Sequence, residues 1–311
     1  MSTHTRAYIV FAFLASLLSF SPAFAQQNAP SVPVTTTVTI LGPNYAPAPE
    51  IPKSDVSAYS DKTKLTITRW EHAQSNGGDL QFAILIDQAI STSRAGTQLS
   101  DLSNFINALP SNSTLGVFYA QNGSAVAAAP FGTEHPKAAQ SLHLTFGGAG
   151  DSPSIYLSLA DLAKKWPAQS GVRREVLVLS SGNDLLNPGV QDPYLDSTID
   201  TLRKSDITVH TIYVGSSRFG RSFRGNISQG KLFQVSEETG GQPLNGLPSA
   251  PVSLGPFLTN LKTVLSNQYV LTVAMEASKK KEGDFRPLRI RTEERNLKIT
   301  APAHVFVPPA S

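Results

Sequence analysis

Leu80-Gln81-Phe82-Ala83-Ile84-Leu85-Ile86-Asp87 decides how the chain is read, because Phe82 to Ile86 is an unbroken apolar run closed by a carboxylate. A strand with one wet face alternates apolar and polar residues; an unbroken run of this length belongs to a strand covered on both faces. Outward from it, Leu99, Leu102, Phe105, Ile106 and Leu109 recur at helical spacing, and residues 114–120 form the next strand. Asn122-Gly123 is a hairpin signal leading into a strand over 124–129. A helix over 155–166 carries an inner stripe of Leu159, Leu162, Ala163 and Trp166, and Val176-Leu177-Val178-Leu179 is another buried strand. A helix over 194–204 and a strand over 207–214 complete the alternation. Strands alternating with helices of this length predict a Rossmann-like α/β fold: a mostly parallel central sheet with helices on both faces.

On the C-terminal side, the expected elements are a helix over 232–238 stopped by Gly240-Gly241, a helix over 254–265, and antiparallel strands over 269–275, 285–290 and 297–299. Lys279-Lys280-Lys281 with Gly283 falls in a turn and reads as solvated charge. On the N-terminal side, Val34-Thr35-Thr36-Thr37-Val38-Thr39-Ile40 is a β-branched strand, and Pro43, Pro47, Pro49 and Pro52 interrupt its continuation. Strands over 56–59 and 65–69, turned at Asp61-Lys62, join it in a small β attachment.

The first residues have a different logic. Arg6 supplies a positive start, residues 7–18 are apolar except for Ser16, and Ser21-Pro22 precedes Ala23-Phe24-Ala25. This is the three-part pattern of a cleavable signal peptide, with cleavage before Gln26. Ser19, Ser21 and Pro22 cut the run short of the roughly 20 apolar residues a membrane span needs. The expected organisation is therefore a signal peptide over 1–25, a flexible leader over 26–33, the small β attachment over 34–78, an α/β domain over 79–266, and C-terminal antiparallel strands and tail over 267–311. An exported chain, periplasmic or secreted, with no transmembrane anchor after signal cleavage follows from this reading.

Composition narrows the function. The chain has no cysteine, which excludes a disulfide framework and an N-terminal lipid anchor on cysteine. Of 26 basic side chains only Arg6 lies in the signal, leaving 25 against 23 acidic ones, a net charge of about +2. Near-neutrality without a basic stripe argues against nucleic acid as a partner, and no phosphate-binding loop is present.

The order of elements resembles a von Willebrand factor type A (VWA) domain, in particular the VWFA-related proteins of the acidobacterial type. The residues that carry the resemblance are Asp55 to Tyr59 with Leu65-Thr66-Ile67, Phe82 to Asp87, Ile207 to Gly215, Glu237-Glu238-Thr239-Gly240-Gly241, Gln268 to Leu271 and Phe285 to Leu288. The resemblance implies a metal-ion-dependent adhesion site at the carboxyl ends of the sheet. There Asp-x-Ser-x-Ser, a threonine and a further aspartate hold a divalent cation through hard oxygen ligands. This chain reads Asp87-Gln88-Ala89-Ile90-Ser91, so the first serine is Ala89; Ser181 stands where the aspartate before Gly182 belongs. The second loop offers Asp151, Ser152 and Ser154 but no threonine. Asp87, Ser91, Ser152 and Ser181 thus outline a degenerate metal site, and no cofactor is expected. The alternative keeps Mg²⁺ on Asp87 and Ser91 with Asp151 or Asp184 as substitute carboxylate.

Two classes of function remain to be weighed. A non-enzymatic interaction or adhesion module would use the loops at the carboxyl ends of the strands, where open α/β sheets place ligands. Among these, Arg218-Phe219-Gly220-Arg221-Ser222-Phe223-Arg224 interleaves arginine with phenylalanine, suited to carboxylates and apolar surface together. Arg218, Phe219, Arg221, Phe223 and Arg224 are its candidate binding residues, and the partner is an extracytoplasmic protein or glycan. A serine hydrolase would use Ser152 in Gly150-Asp151-Ser152, yet no Asp-x-x-His stands near His304 and no Gly-x-Ser-x-Gly elbow occurs. His72, His135 and His143 show no metal-ligand spacing, and His210 sits within a strand as a structural residue. The expectation is therefore no enzyme.

Overall fold

The structure is a computed structural model, and its described residues are 30–73, 80–87, 92–143, 154–169, 171–182, 184–187, 189–215, 223–245 and 250–310. In chain order the elements are β1 (Ser31–Leu41), β2 (Val56–Ser60), β3 (Thr63–His72), β4 (Leu80–Asp87), α1 (Thr92–Asn107), β5 (Thr114–Gln121), β6 (Ser124–Gly132) and α2 (His135–Gln140). There follow α3 (Ile155–Lys165), β7 (Arg173–Ser180), α4 (Pro193–Lys204), β8 (Ile207–Tyr213), α5 (Phe223–Glu238) and α6 (Gly255–Ser266). The chain closes with β9 (Gln268–Glu276), β10 (Asp284–Pro287), β11 (Arg289–Thr292), β12 (Lys298–Thr300) and β13 (His304–Val307). The expected signal peptide and the leader up to residue 29 lie outside the described residues.

β4 is the centre of a five-stranded sheet ordered β6-β5-β4-β7-β8. It runs parallel to β5, with Ile84 opposite Val117, and parallel to β7, with Ile84 opposite Leu177. β7 and β8 are also parallel, and β6 is the antiparallel edge. The β5–β6 turn carries Asn122 at φ 49° and Gly123 at φ 75°, the left-handed pair that a tight hairpin needs. Every residue of β4 is buried. Phe82, Ile84 and Ile86 join a core with Leu102, Phe105 and Ile106 of α1 and Leu258, Leu261 and Val264 of α6. Ala83 and Leu85 join the opposite core with Leu159 and Leu162 of α3, Leu195 and Leu202 of α4 and Val235 of α5. The apolar run is therefore continuous because both of its alternating faces are covered by helices.

The N- and C-terminal strands build more than a small attachment. They form a six-stranded antiparallel sheet ordered β11-β2-β3-β9-β1-β12, so the central sheet accounts for only part of the β structure. β9 lies between β3 and β1, and Trp70 of β3 stacks on its Tyr269 with ring centroids 4.4 Å apart. Three local expectations are corrected. The leader over 26–33 ends in strand, because β1 already pairs at Ser31 with Glu276; Pro33 is tolerated since this end of β1 pairs with β9 alone. The single strand over 285–290 is two: β10 pairs with β13 and β11 with β2, and between them Leu288 turns its N–H to Ala303 O at 2.9 Å. The helix expected over 232–238 starts at Phe223.

Candidate functional site

Asp87 and Ser180 stand side by side because β4 and β7 are parallel and end at the same level. Ser180 Oγ donates to Asp87 Oδ2 at 2.6 Å, and Gly182 N–H donates to Ser180 Oγ at 2.9 Å. Both side chains are buried. Ser180, which supplies this hydroxyl, directly precedes the Ser181 singled out in the sequence. Ser91 and Ser152 lie outside the described residues, as do Asp151, Arg218, Phe219, Arg221 and the side chain of Arg224. Phe223 is described, and its ring is 76 % exposed at the start of α5.

The loop between β7 and α4 supplies the rest of the rim. Asp184 accepts the Ser154 hydroxyl on Oδ2 at 3.1 Å, and the N–H groups of Leu186 and Asn187 on Oδ1 at 2.9 and 3.2 Å. Asp192 caps α4, its Oδ1 accepting from Tyr194 N and Leu195 N at 3.1 and 3.0 Å; Pro193 follows at the first helical position, where a missing N–H costs nothing. Its Oδ2 accepts from Lys231 Nζ of α5 at 2.6 Å, and the same ammonium donates to Asn187 O at 2.6 Å. Asp192-Pro193 is legible in sequence as a helix start. Lys231 carries no sequence signal, since its partners are 39 and 44 residues away.

Electrostatics follow the packing. Burial raises the Asp184 carboxyl above its ordinary value, with the neighbouring Asp192 adding to the effect against three hydrogen bonds that favour the charged form. Burial also pushes Asp192 upward, but Lys231, the Leu195 N–H and Asp184 outweigh it and hold the carboxyl low. Tyr156 on α3 is fully buried, and its hydroxyl has no hydrogen-bond partner among the described residues. Burial first, then the charges of Asp184, Asp192 and Asp87, push that hydroxyl well above its usual range.

Both carboxylate oxygens of Asp184 and of Asp192, and Oδ2 of Asp87, therefore have donors within the protein. Mg²⁺ demands several oxygens in near-octahedral array, and among the described residues no group of three acidic, histidine or cysteine side chains converges on one point. Among the described residues outside the cluster, several large apolar side chains reach the surface: Leu185, Leu186 and Tyr194 are about half exposed and Val190 is 72 % exposed. His210, read as structural, is buried against Glu175 at 2.7 Å.

No family model matches the chain, and no curated protein matches it. Among solved structures, the chain is similar to the conserved hypothetical protein BatB from Bacteroides thetaiotaomicron, at 14 % identity and a TM-score of 0.45 over 60 % of this chain and 98 % of that one. It is also similar to the SpRpn10 VWA domain, at 13 % identity and a TM-score of 0.39 over 58 % of this chain and 93 % of that one. The pilus adhesin SpaC from Lactobacillus rhamnosus GG aligns at 9 % identity and a TM-score of 0.46, over 84 % of this chain and 48 % of the adhesin. These likenesses are shallow, and the architecture rests on the strand order and registers given above.

Proposed function

We propose that the chain is an exported, non-enzymatic interaction module of the VWA type, which binds a protein or glycan outside the cytoplasm through the loops at the carboxyl ends of β4 and β7. The observation that carries this reading is the composition of the rim. Its carboxylates are engaged by Ser180, Ser154, Lys231 and backbone N–H groups, while Leu185, Leu186, Val190, Tyr194 and Phe223 face solvent. Large side chains grouped on one loop and the adjoining helix starts favour contact with a partner over catalysis. A degenerate metal site fits the same picture, because Ala89 and Ser181 stand where the VWA resemblance places a serine and an aspartate.

The test uses immobilised protein and the envelope fraction of the native cell, comparing wild type with a Leu186→Asp/Tyr194→Asp variant. Both positions are exposed, so the variant's stability should stay within about 0.5 kcal/mol per substitution. Loss of a captured species from the variant, in buffer with chelator, is the expected result. Equal capture by both proteins, or capture only in the presence of Mg²⁺, would overturn the reading.

A further inference from the structure

Asp184 and Asp192, both on the chain between β7 and α4, are two buried carboxyl groups. Buried carboxylates need a positive partner, and leaving one uncompensated is strongly destabilising. In a rim of this kind the partner is either a bound ion or a side chain. Here the Lys231 ammonium, with only 5 % of its side chain exposed, touches Asp192 Oδ2 and Asn187 O, both at 2.6 Å. It thereby clips residue 187 to residue 192 across the turn that holds Val190. Asp184 fixes the near end of the same loop through the N–H groups of Leu186 and Asn187. A cation contacting a carbonyl and a carboxylate from two points of one loop does what a coordinated metal does for a loop.

We propose that Lys231 is the resident cation of this rim: its ammonium compensates Asp192 and, through Asn187 O, holds the loop before α4 in the shape that presents Leu185, Leu186, Val190 and Tyr194. Lys231 is thus a positioning residue, and its functional consequence rests on the interaction reading above. On this proposal the positive charge of the rim comes from α5.

Stability and amide exchange test this independently of any partner. In the wild-type chain, melting temperatures in Mg²⁺ and in chelator should agree within about 1 °C, since an ion bound only by the native state would raise Tm. Lys231→Ala should lower Tm on the order of 10 °C and speed exchange at Leu186, Asn187 and Val190. Ethylammonium, which replaces the missing head group, should restore part of both losses, whereas tetramethylammonium, which has no N–H, should not. Should Lys231→Ala not fold, Asp192→Asn/Lys231→Met decides: it removes both charges, and asparagine keeps the cap on α4. Its Tm should return to within a few degrees of wild type, because no buried charge is left unpaired, while exchange at Leu186, Asn187 and Val190 stays several fold faster, because the contact to Asn187 O is gone.

Three results would overturn the proposal: a Mg²⁺-dependent rise of several degrees in the wild type, an unchanged loop in Lys231→Ala, or a double variant whose loop is as protected as that of wild type. The capture experiment can fail while these results hold, which separates loss of the partner surface from loss of its internal cation.

Discussion

His210 shows how a buried polar residue is fixed by its neighbours. The Gln242 N–H donates to His210 Nδ1 at 3.1 Å, so Nδ1 is the acceptor and the ring proton sits on Nε2, which donates to Glu175 Oε2 at 2.7 Å. Nitrogen-15 NMR of the imidazole should show the Nε2–H tautomer; an Nδ1–H ring would contradict this assignment. Replacing His210 by Leu removes the donor to a buried carboxylate and should cost on the order of 3 kcal/mol in denaturant titration. Asp206 is the second residue whose surroundings make a measurable demand. It occupies the left-handed region at φ 50° in the α4–β8 turn, and burial pushes its carboxyl up to about 7 against the opposing pull of Thr36 and Arg174. Between about pH 4 and 7 the folded chain then holds a proton that the unfolded chain has lost. Stability from this group is full below pH 4, falls as pH rises, and is gone above about 7. The slope is at most about 1.4 kcal/mol per pH unit, an upper bound because the residue is partly exposed. Asp206→Asn tolerates the same backbone and should flatten the decline, gaining on wild type at pH 8 and not at pH 4. Parallel curves for the two proteins would contradict the prediction.

Elements differ in how plainly the sequence announces them, and the difference is physical. β4 was legible because burial on both faces removes every polar residue between Phe82 and Ile86. β13 was not, because His304-Val305-Phe306-Val307 is four residues long, follows Pro302, and is a strand only through its pairing with β10. α2 was missed for a similar reason: His135–Gln140 is six residues with little periodicity. In the candidate site, Asp87 was visible as the end of an apolar run, and Asp184 as a spare carboxylate. Ser180 and Lys231 depend on where strand ends and helix faces meet in space, which no local pattern encodes. Gly241 illustrates an element boundary set by contact. A Cβ there would lie 1.9 Å from Val209 O, because the chain leaving α5 runs against β8, exchanging Thr211 N–H to Gln242 O and Leu244 N–H to Thr211 O. Gly241→Ala should therefore cost on the order of 3 kcal/mol by forcing that segment off the strand. A urea midpoint within experimental error of wild type would show that the segment relaxes freely.

The whole molecule is joined by polar side chains as well as by chain connectivity. Arg173 at the start of β7 donates to Gln268 at the start of β9, and Gln268 in turn donates to Thr39 of β1. Gln242, whose N–H holds His210, donates from its side chain to Thr300 of β12 and accepts from Lys298. All of these atoms lie where the central sheet meets the antiparallel one, and separating the sheets would leave Arg173, Gln242 and Gln268 with broken hydrogen bonds in newly wetted or half-buried surroundings. Each broken hydrogen bond is worth about 1 kcal/mol net and more where a charge is involved, enough in sum to couple the two sheets in one transition. The two tryptophans make this testable, because they report on different sheets. Trp70 belongs to β3 of the antiparallel sheet, whereas Trp166 ends α3 and donates its ring N–H to Gln81 of β4 at 2.8 Å. In a Trp166→Phe chain the fluorescence follows Trp70, and in a Trp70→Phe chain it follows Trp166. In each variant the fluorescence midpoint in urea should coincide with the circular-dichroism midpoint of that same variant, whatever stability the substitution has cost. A Trp70 signal that melts well before the helices would show that the polar seam does not bind the sheets together, and that the antiparallel sheet unfolds on its own.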